Sequence, residues 1–166
     1  MSTAQKNRKP AALLAALAAL FLVIHLWGFH MVRVAGSSMA DTLSGGDLAL
    51  VTRFDYLLCA PQRGDVVECR FPGRDGTYLK RVIGLPGETV AIIGGRTYID
   101  SVPLSEPYAT GPSEDYRREL GADEYLVLGD NRSESYDSRA EDMGTLHRKD
   151  FLGRVRCALW PLRNIE

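Results

Sequence analysis

The chain is poor in the residues that would tie it to a metal or to nucleic acid. It has three cysteines and three histidines in 166 residues. Cys59, Cys69 and Cys157 lack the close spacing of a zinc site, and His25, His30 and His147 are too scattered for metal ligands. No metal or other cofactor is therefore expected. Three thiols allow at most one disulfide. Cys59 and Cys69 are the pair to expect in an oxidising compartment, and buried free thiols are the equal alternative. The formal net charge is only -1, too small an imbalance to draw nucleic acid as a partner. Nor is there an internal repeat.

What the chain does have is an apolar N-terminus. "MSTAQKNRKP" sets Lys6, Arg8 and Lys9 ahead of a run from Ala11 to Phe29 that carries no formal charge except on a protonated His25. At about 1.5 Å per residue this run makes a helix of roughly 28 Å, close to the hydrocarbon thickness of a bilayer. The basic residues precede it, so the positive-inside rule keeps the N-terminus cytoplasmic and exports the rest. A cleaved secretory signal competes with this reading. Against it, the run exceeds the usual length of a signal core, and a cut after Ala35 would put Arg33 three positions back. The expected organisation is a cytoplasmic basic segment (1–10), a transmembrane anchor (11–29) and one extracytoplasmic domain (30–166).

That domain reads as short strands split by Gly, Pro and Asp. The runs are "DLALVTR" (47–53), "GDVVECRF" (64–71), "TYLKRVIG" (77–84), "TVAIIGG" (89–95), "RTYID" (96–100), "EYLVLGD" (124–130) and "LGRVRCALW" (152–160). Such spacing predicts a mostly β fold, a barrel or folded sheet, with helix mainly in the anchor. Gly94-Gly95 should turn a hairpin, because glycine accepts positive φ without penalty. The polar segment 104–120 shows little periodicity and is expected as a surface excursion.

Three stretches could carry chemistry. "GSSMADTL" (36–43) offers two serines shortly after the apolar run, but a serine attacks nothing without a base. No histidine is well placed to be that base. Two lysines lie beyond the anchor, Lys80 and Lys149. Strand alternation puts Lys80 on one face with Tyr78 and Val82. Burial there would disfavour the charged form and make a neutral amine available as a general base. The pattern alone also fits a solvated strand lysine beside Arg81. The third stretch, "LGDNRSESYDSRAE" (128–141), packs Asp130, Asn131, Ser135, Asp137, Ser138 and Arg139 into one loop. Asp137 and Arg139 are spaced to form a pair that fixes the loop, and a hydrated turn is the plainer reading.

"SSMADTL", "RGDVV", "YLKRVIGLPGE" and "LGDNRSESYDSR", in this order after one apolar span, resemble the boxes of bacterial signal peptidase I, the S26 family of membrane-anchored serine peptidases with a Ser/Lys dyad. The resemblance runs on to "GRVRCALWPLRNIE" at the C-terminus. It implies a coiled-sheet β domain with a small β extension (approximately 86–123). It makes Ser38 the nucleophile and Lys80 the general base, with Ser135 orienting the amine and Asp137 and Arg139 supporting the loop beneath. Gly36 stands where some members contribute a serine hydroxyl to the oxyanion hole, which leaves the Ser38 amide to carry that charge. Asp41 stands where the family normally has proline, and its charge would favour protonated Lys80. Substrate would add as a strand along Val34, Ala35, Ser37 and Met39 and along Thr77, Tyr78 and Leu79.

The function implied is removal of signal peptides after Ala-x-Ala-type sites through an acyl-enzyme. The implied location is the bacterial cytoplasmic membrane, in a single pass with the catalytic domain outside. Exported preproteins and the lipid bilayer are the expected partners, with the secretion translocon a further candidate. Two other readings stand beside it: a specialised maturase of a secretion or conjugation system, and a silent membrane-anchored β domain that binds signal sequences.

Overall fold

The computed structural model of the protein describes residues 8–165, without the side chains of 8, 9 and 23–27. Residues 1–7 of the expected cytoplasmic segment lie outside the described residues. Helix α1 runs Arg8–Gly28. It starts earlier than the apolar run and ends one residue sooner, because Phe29 opens strand β1 (Phe29–Arg33). Among the described residues no helix is long and apolar enough to cross a membrane. The anchor expected over 11–29 is thus seen as a helix and not shown as a span.

After β1 come β2 (Leu48–Thr52), a single helical turn α2 (Asp55–Leu58), β3 (Val66–Cys69) and β4 (Tyr78–Gly84). The remaining strands are β5 (Thr89–Ile93), β6 (Arg96–Ile99), β7 (Val102–Pro103), β8 (Tyr116–Glu119), β9 (Leu126–Leu128), β10 (Phe151–Trp160) and β11 (Leu162–Asn164). Seven strands form one sheet in the order β1-β2-β10-β3-β4-β9, with β11 paired to β10, and four form a second, β7-β6-β5-β8. Every pairing within the two sheets is antiparallel. Gly94 and Gly95, both at positive φ, close the β5–β6 hairpin as their sequence demands.

Four strands lie outside the expected runs: β1, β8 and the short β7 and β11. The 104–120 excursion contains β8, whose Arg117, Arg118 and Glu119 are exposed at the sheet edge. Charge on an edge strand blocks further pairing and also hides the apolar alternation. β1 was hidden for the opposite reason, since "FHMVR" continues the apolar run before it.

The large sheet has apolar side chains on both faces. Val34, Met39, Leu43, Val51, Val66 and Val155 fill one cluster. Val67, Phe71, Val82, Val127, Leu146 and Phe151 fill another. A third, with Ile83, Val90, Ile92, Leu126 and Leu128, joins β4 and β9 to the smaller sheet. The three cysteines are free: Cys59 is exposed and Cys69 buried, so no Cys59–Cys69 bridge forms.

Candidate active site

Ser38 sits in a tight turn between β1 and β2. The Val34 N–H donates to the Asp47 carbonyl (2.8 Å) and the Gly46 N–H returns to the Val34 carbonyl (2.9 Å), which closes the base of the turn. Met39 and Leu43 then plug the first apolar cluster, with the Leu43 N–H on the Met39 carbonyl at 2.6 Å. Met39 is buried, and Ser38 beside it is half-buried. From the other side the Asn131 N–H donates to the Ser38 carbonyl (3.1 Å), and its side-chain amide donates to that of Ser37 (3.3 Å). A β-carbon at Gly129 would collide with both Ser135 Oγ and the Ser38 carbonyl, so glycine alone permits this approach.

Lys80 lies on β4 opposite Val67, one strand pair from the second apolar cluster, and is 2% exposed. The inward reading of its face is the one the structure shows. Its Nζ donates to Ser135 Oγ at 3.1 Å. Burial pushes the Lys80 ammonium below its ordinary value of 10.5; Asp137, Cys69 and Asp130 pull it back up, and Arg139 assists the depression. Asp41 is not among these leading influences. It is exposed and adopts φ +77, a left-handed conformation closed to proline. The charge expected to oppose a neutral lysine is therefore directed at solvent.

Asp137 and Arg139 pair as their spacing suggested, with Nε–Oδ1 at 2.8 Å and a second contact at 2.9 Å. The Gly129 N–H also donates to Asp137 (3.0 Å) and to Ser135 Oγ (3.1 Å). Burial alone would raise the Asp137 carboxyl. The hydrogen bonds and charge of Arg139, with bonds from Ser135 and Gly129, outweigh it and hold the carboxyl below its ordinary value. Arg139 reaches on to the carbonyls of Arg132 (2.8 Å) and Ser135 (3.2 Å), so the loop that carries Ser135 is held from within.

A second polar cluster went unassigned in the sequence reading. On the opposite face of β4, Arg81 grips Asp130 with two bonds (2.9 and 2.8 Å) and donates to the Gly64 carbonyl (2.8 Å). Thr42 donates to the same carboxylate at 2.5 Å, and the Tyr108 ring lies 3.9 Å from the guanidinium carbon. One buried ion pair thus ties all four quoted boxes together. The signal was present, since Thr42, Gly64, Arg81 and Asp130 each sit inside a box.

Ser38 and Lys80 line one groove of about 370 Å³, with Val34, Ala35, Gly36, Met39, Thr77, Tyr78 and Leu79. Val32, Arg33 and Asp75 line it too, and Ser37 does not. Among the described residues strand β1 pairs with β2 alone, and the Tyr78–Lys80 half of β4 pairs only with β3. Two unpaired edges therefore flank the groove. Among the described residues the Ser38 hydroxyl and N–H have no hydrogen-bond partner, leaving both available to a ligand. Gly36, at φ +85, adds no side-chain donor.

Open strand edges on either side of a groove are the geometry to which an extended peptide can add as a strand. Comparison with known proteins makes this specific. The family described as signal peptidase, peptidase S26, matches residues 7–160. Signal peptidase I of Leptolyngbya laminosa is 37% identical over 143 residues, 80% of this chain and 69% of that protein. Signal peptidase I U of Bacillus subtilis strain 168 is 30% identical over 156 residues, 87% of this chain and 83% of that one. A crystal structure of a signal peptidase I from Enterococcus faecalis V583 superposes with a TM-score of 0.52 at 31% identity, covering 58% of this chain and 97% of that one. The chain belongs to the signal peptidase family, peptidase S26.

Proposed function

We propose that this signal peptidase removes signal peptides from exported preproteins with Ser38 as nucleophile and Lys80 as general base. The observation that carries the proposal is a buried amine with a depressed pKa sharing one groove with an unpartnered serine. Ser135 Oγ occupies one donor direction of Lys80 Nζ. That leaves the lone pair of the neutral amine for the Ser38 proton when substrate brings the two together; catalytic hydrogen bonds often form only in the substrate complex. Ser38 Oγ then attacks the scissile carbonyl, and its own N–H stabilises the oxyanion. The protonated Lys80 delivers its proton to the leaving amine. Lys80, neutral again, activates the water that releases the acyl group.

The substrate strand fits between the 33–36 segment and Thr77–Leu79. Val32, Val34 and Leu79 give it apolar walls, which suit small apolar residues of the Ala-x-Ala type. We read α1 as a single-pass anchor in the bacterial cytoplasmic membrane, with the β domain outside. In support, Leu13, Leu14, Leu17, Leu20, Phe21 and Leu22 are each more than half exposed, an apolar surface that lipid would cover. Anchoring enzyme and preprotein in one bilayer raises their effective concentration.

The test is cleavage of a preprotein whose signal ends in Ala-x-Ala by the full chain in detergent. Wild type cleaves, and Ser38→Ala and Lys80→Met do not. Cleavage by either variant at the wild-type rate removes that residue from its proposed role.

A further inference from the structure

Beside the junction of α1 with the β domain lies a cleft of about 830 Å³ that the proposed reaction does not use. Arg53, Arg70, Arg148 and Lys149 line it with Leu57, and Asp123 is the one acid among its lining residues. Arg53, Arg70 and Lys149 are exposed and have no ion-pair partner among the described residues. Arg148 instead donates to the carbonyls of Tyr56 and Cys59, both at 3.2 Å, and so pins the end of α2.

Two features place this cleft at the end of the apolar helix. The Arg53 N–H donates to the Gly28 carbonyl, the last residue of α1, at 2.9 Å. The Phe54 ring meets Phe29 edge-on, with 5.2 Å between centroids. From this position α2 presents Leu57 and Leu58 to solvent at 79% and 85% exposure. Exposed leucines beside solvated cations at the end of an apolar helix match a bilayer surface, where an apolar tip enters the acyl boundary and basic groups meet phosphate.

We infer that this cleft binds the phosphate headgroups of anionic lipid, with Leu57 and Leu58 seated in the membrane beside it. The inference rests on the reading of α1 as a bilayer anchor. Charge complementarity selects an anionic over a zwitterionic headgroup, since each basic side chain near an anionic surface favours association by roughly fivefold. The adjoining leucines select lipid over free phosphate. Docked through both α1 and the cleft, the β domain keeps one orientation to the bilayer.

The experiment uses the full chain and two readouts. The first is flotation with vesicles of phosphatidylcholine, alone or with phosphatidylglycerol, which reports anchoring. The second is hydrogen exchange at residues 53–59 and 148–152 in nanodiscs of the same two compositions. Flotation with both, and slower exchange only where phosphatidylglycerol is present, is expected. Arg53→Glu with Lys149→Glu should abolish that slowing without affecting flotation, and the milder Arg53→Gln with Lys149→Gln should weaken headgroup binding by roughly 25-fold. Failure to float in either lipid overturns the anchor reading. Flotation with equal exchange in both lipids overturns the cleft alone. The same slowing produced by inorganic phosphate over phosphatidylcholine assigns the cleft to free phosphate and refutes the lipid inference.

Discussion

Asp137→Asn perturbs both stability and chemistry, in directions that follow from the contacts. Asp137 is 1% exposed and accepts bonds from Gly129 and from three donors of Arg139. Removing its charge strands a guanidinium whose side chain is 16% exposed. Breaking a buried pair by neutralising one partner costs about 3–5 kcal/mol, a large share of the roughly 5–15 kcal/mol that holds a domain together. For a chain of this size the midpoint of thermal unfolding should fall by roughly 10 °C. The loss should be pH-dependent. Because the folded carboxyl lies below its ordinary 3.8, its contribution is complete above that value and disappears as pH falls through the depressed one. Wild type and variant therefore converge in stability at strongly acidic pH. The chemistry moves too. Asp137 is the leading charge that raises Lys80, so the asparagine variant should shift the acidic limb of kcat/KM towards lower pH, even as its plateau falls through a loosened Ser135. Thermal melts and a pH–rate profile test both arms. An unchanged melting temperature would mean that Asp137 does not hold Arg139, and an acidic limb displaced upward that it does not raise Lys80.

Other perturbations have equally definite outcomes. Arg81→Lys keeps the charge but loses the two-pronged grip on Asp130 and the contact with Tyr108; denaturant unfolding should show a loss of about 2–4 kcal/mol. Met39→Ala empties a fully buried site next to the nucleophile; it should cost about 2–5 kcal/mol and lower kcat as Ser38 loses its seat, read by melts and turnover. Asp41→Pro places the ring at φ +77 and should destabilise by more than about 1 kcal/mol, whereas Asp41→Gly should be tolerated in the same melts. Gly36→Ser should not raise turnover, because φ +85 strains any side chain introduced there as an added donor.

Much of the fold was legible because its strands announce themselves by apolar runs between turn residues, as at "TVAIIGGRTYID". Four strands escaped: β1 and β8 were masked by a neighbouring greasy run and by edge charge, and β7 and β11 are only two and three residues long. Local pattern could not decide Lys80 between solvent and core. Its burial comes from Val67 across the ladder and from packing behind β4, information that alternation within one strand does not carry. The Ser38, Ser135, Asp137 and Arg139 assignments rest on the ordered boxes; in the fold Ser38 shares the groove with Lys80, and Ser135, Asp137 and Arg139 form a linked set behind it. Asp130 with Arg81 and Thr42 was missed because the three are distant in sequence and meet only after β1, β4 and β9 are assembled.

The most direct test of Lys80 as the general base is its own titration. The chain has four lysines, Lys6, Lys9, Lys80 and Lys149. Lysine labelled with 13C at Cε gives four resolvable signals in the full chain, and Lys80→Met identifies the one that matters. With Lys80 as the general base, this signal titrates well below the ordinary 10.5, in step with the acidic limb of preprotein cleavage. A Lys80 that titrates with the other three, while the enzyme still cleaves, would contradict that role.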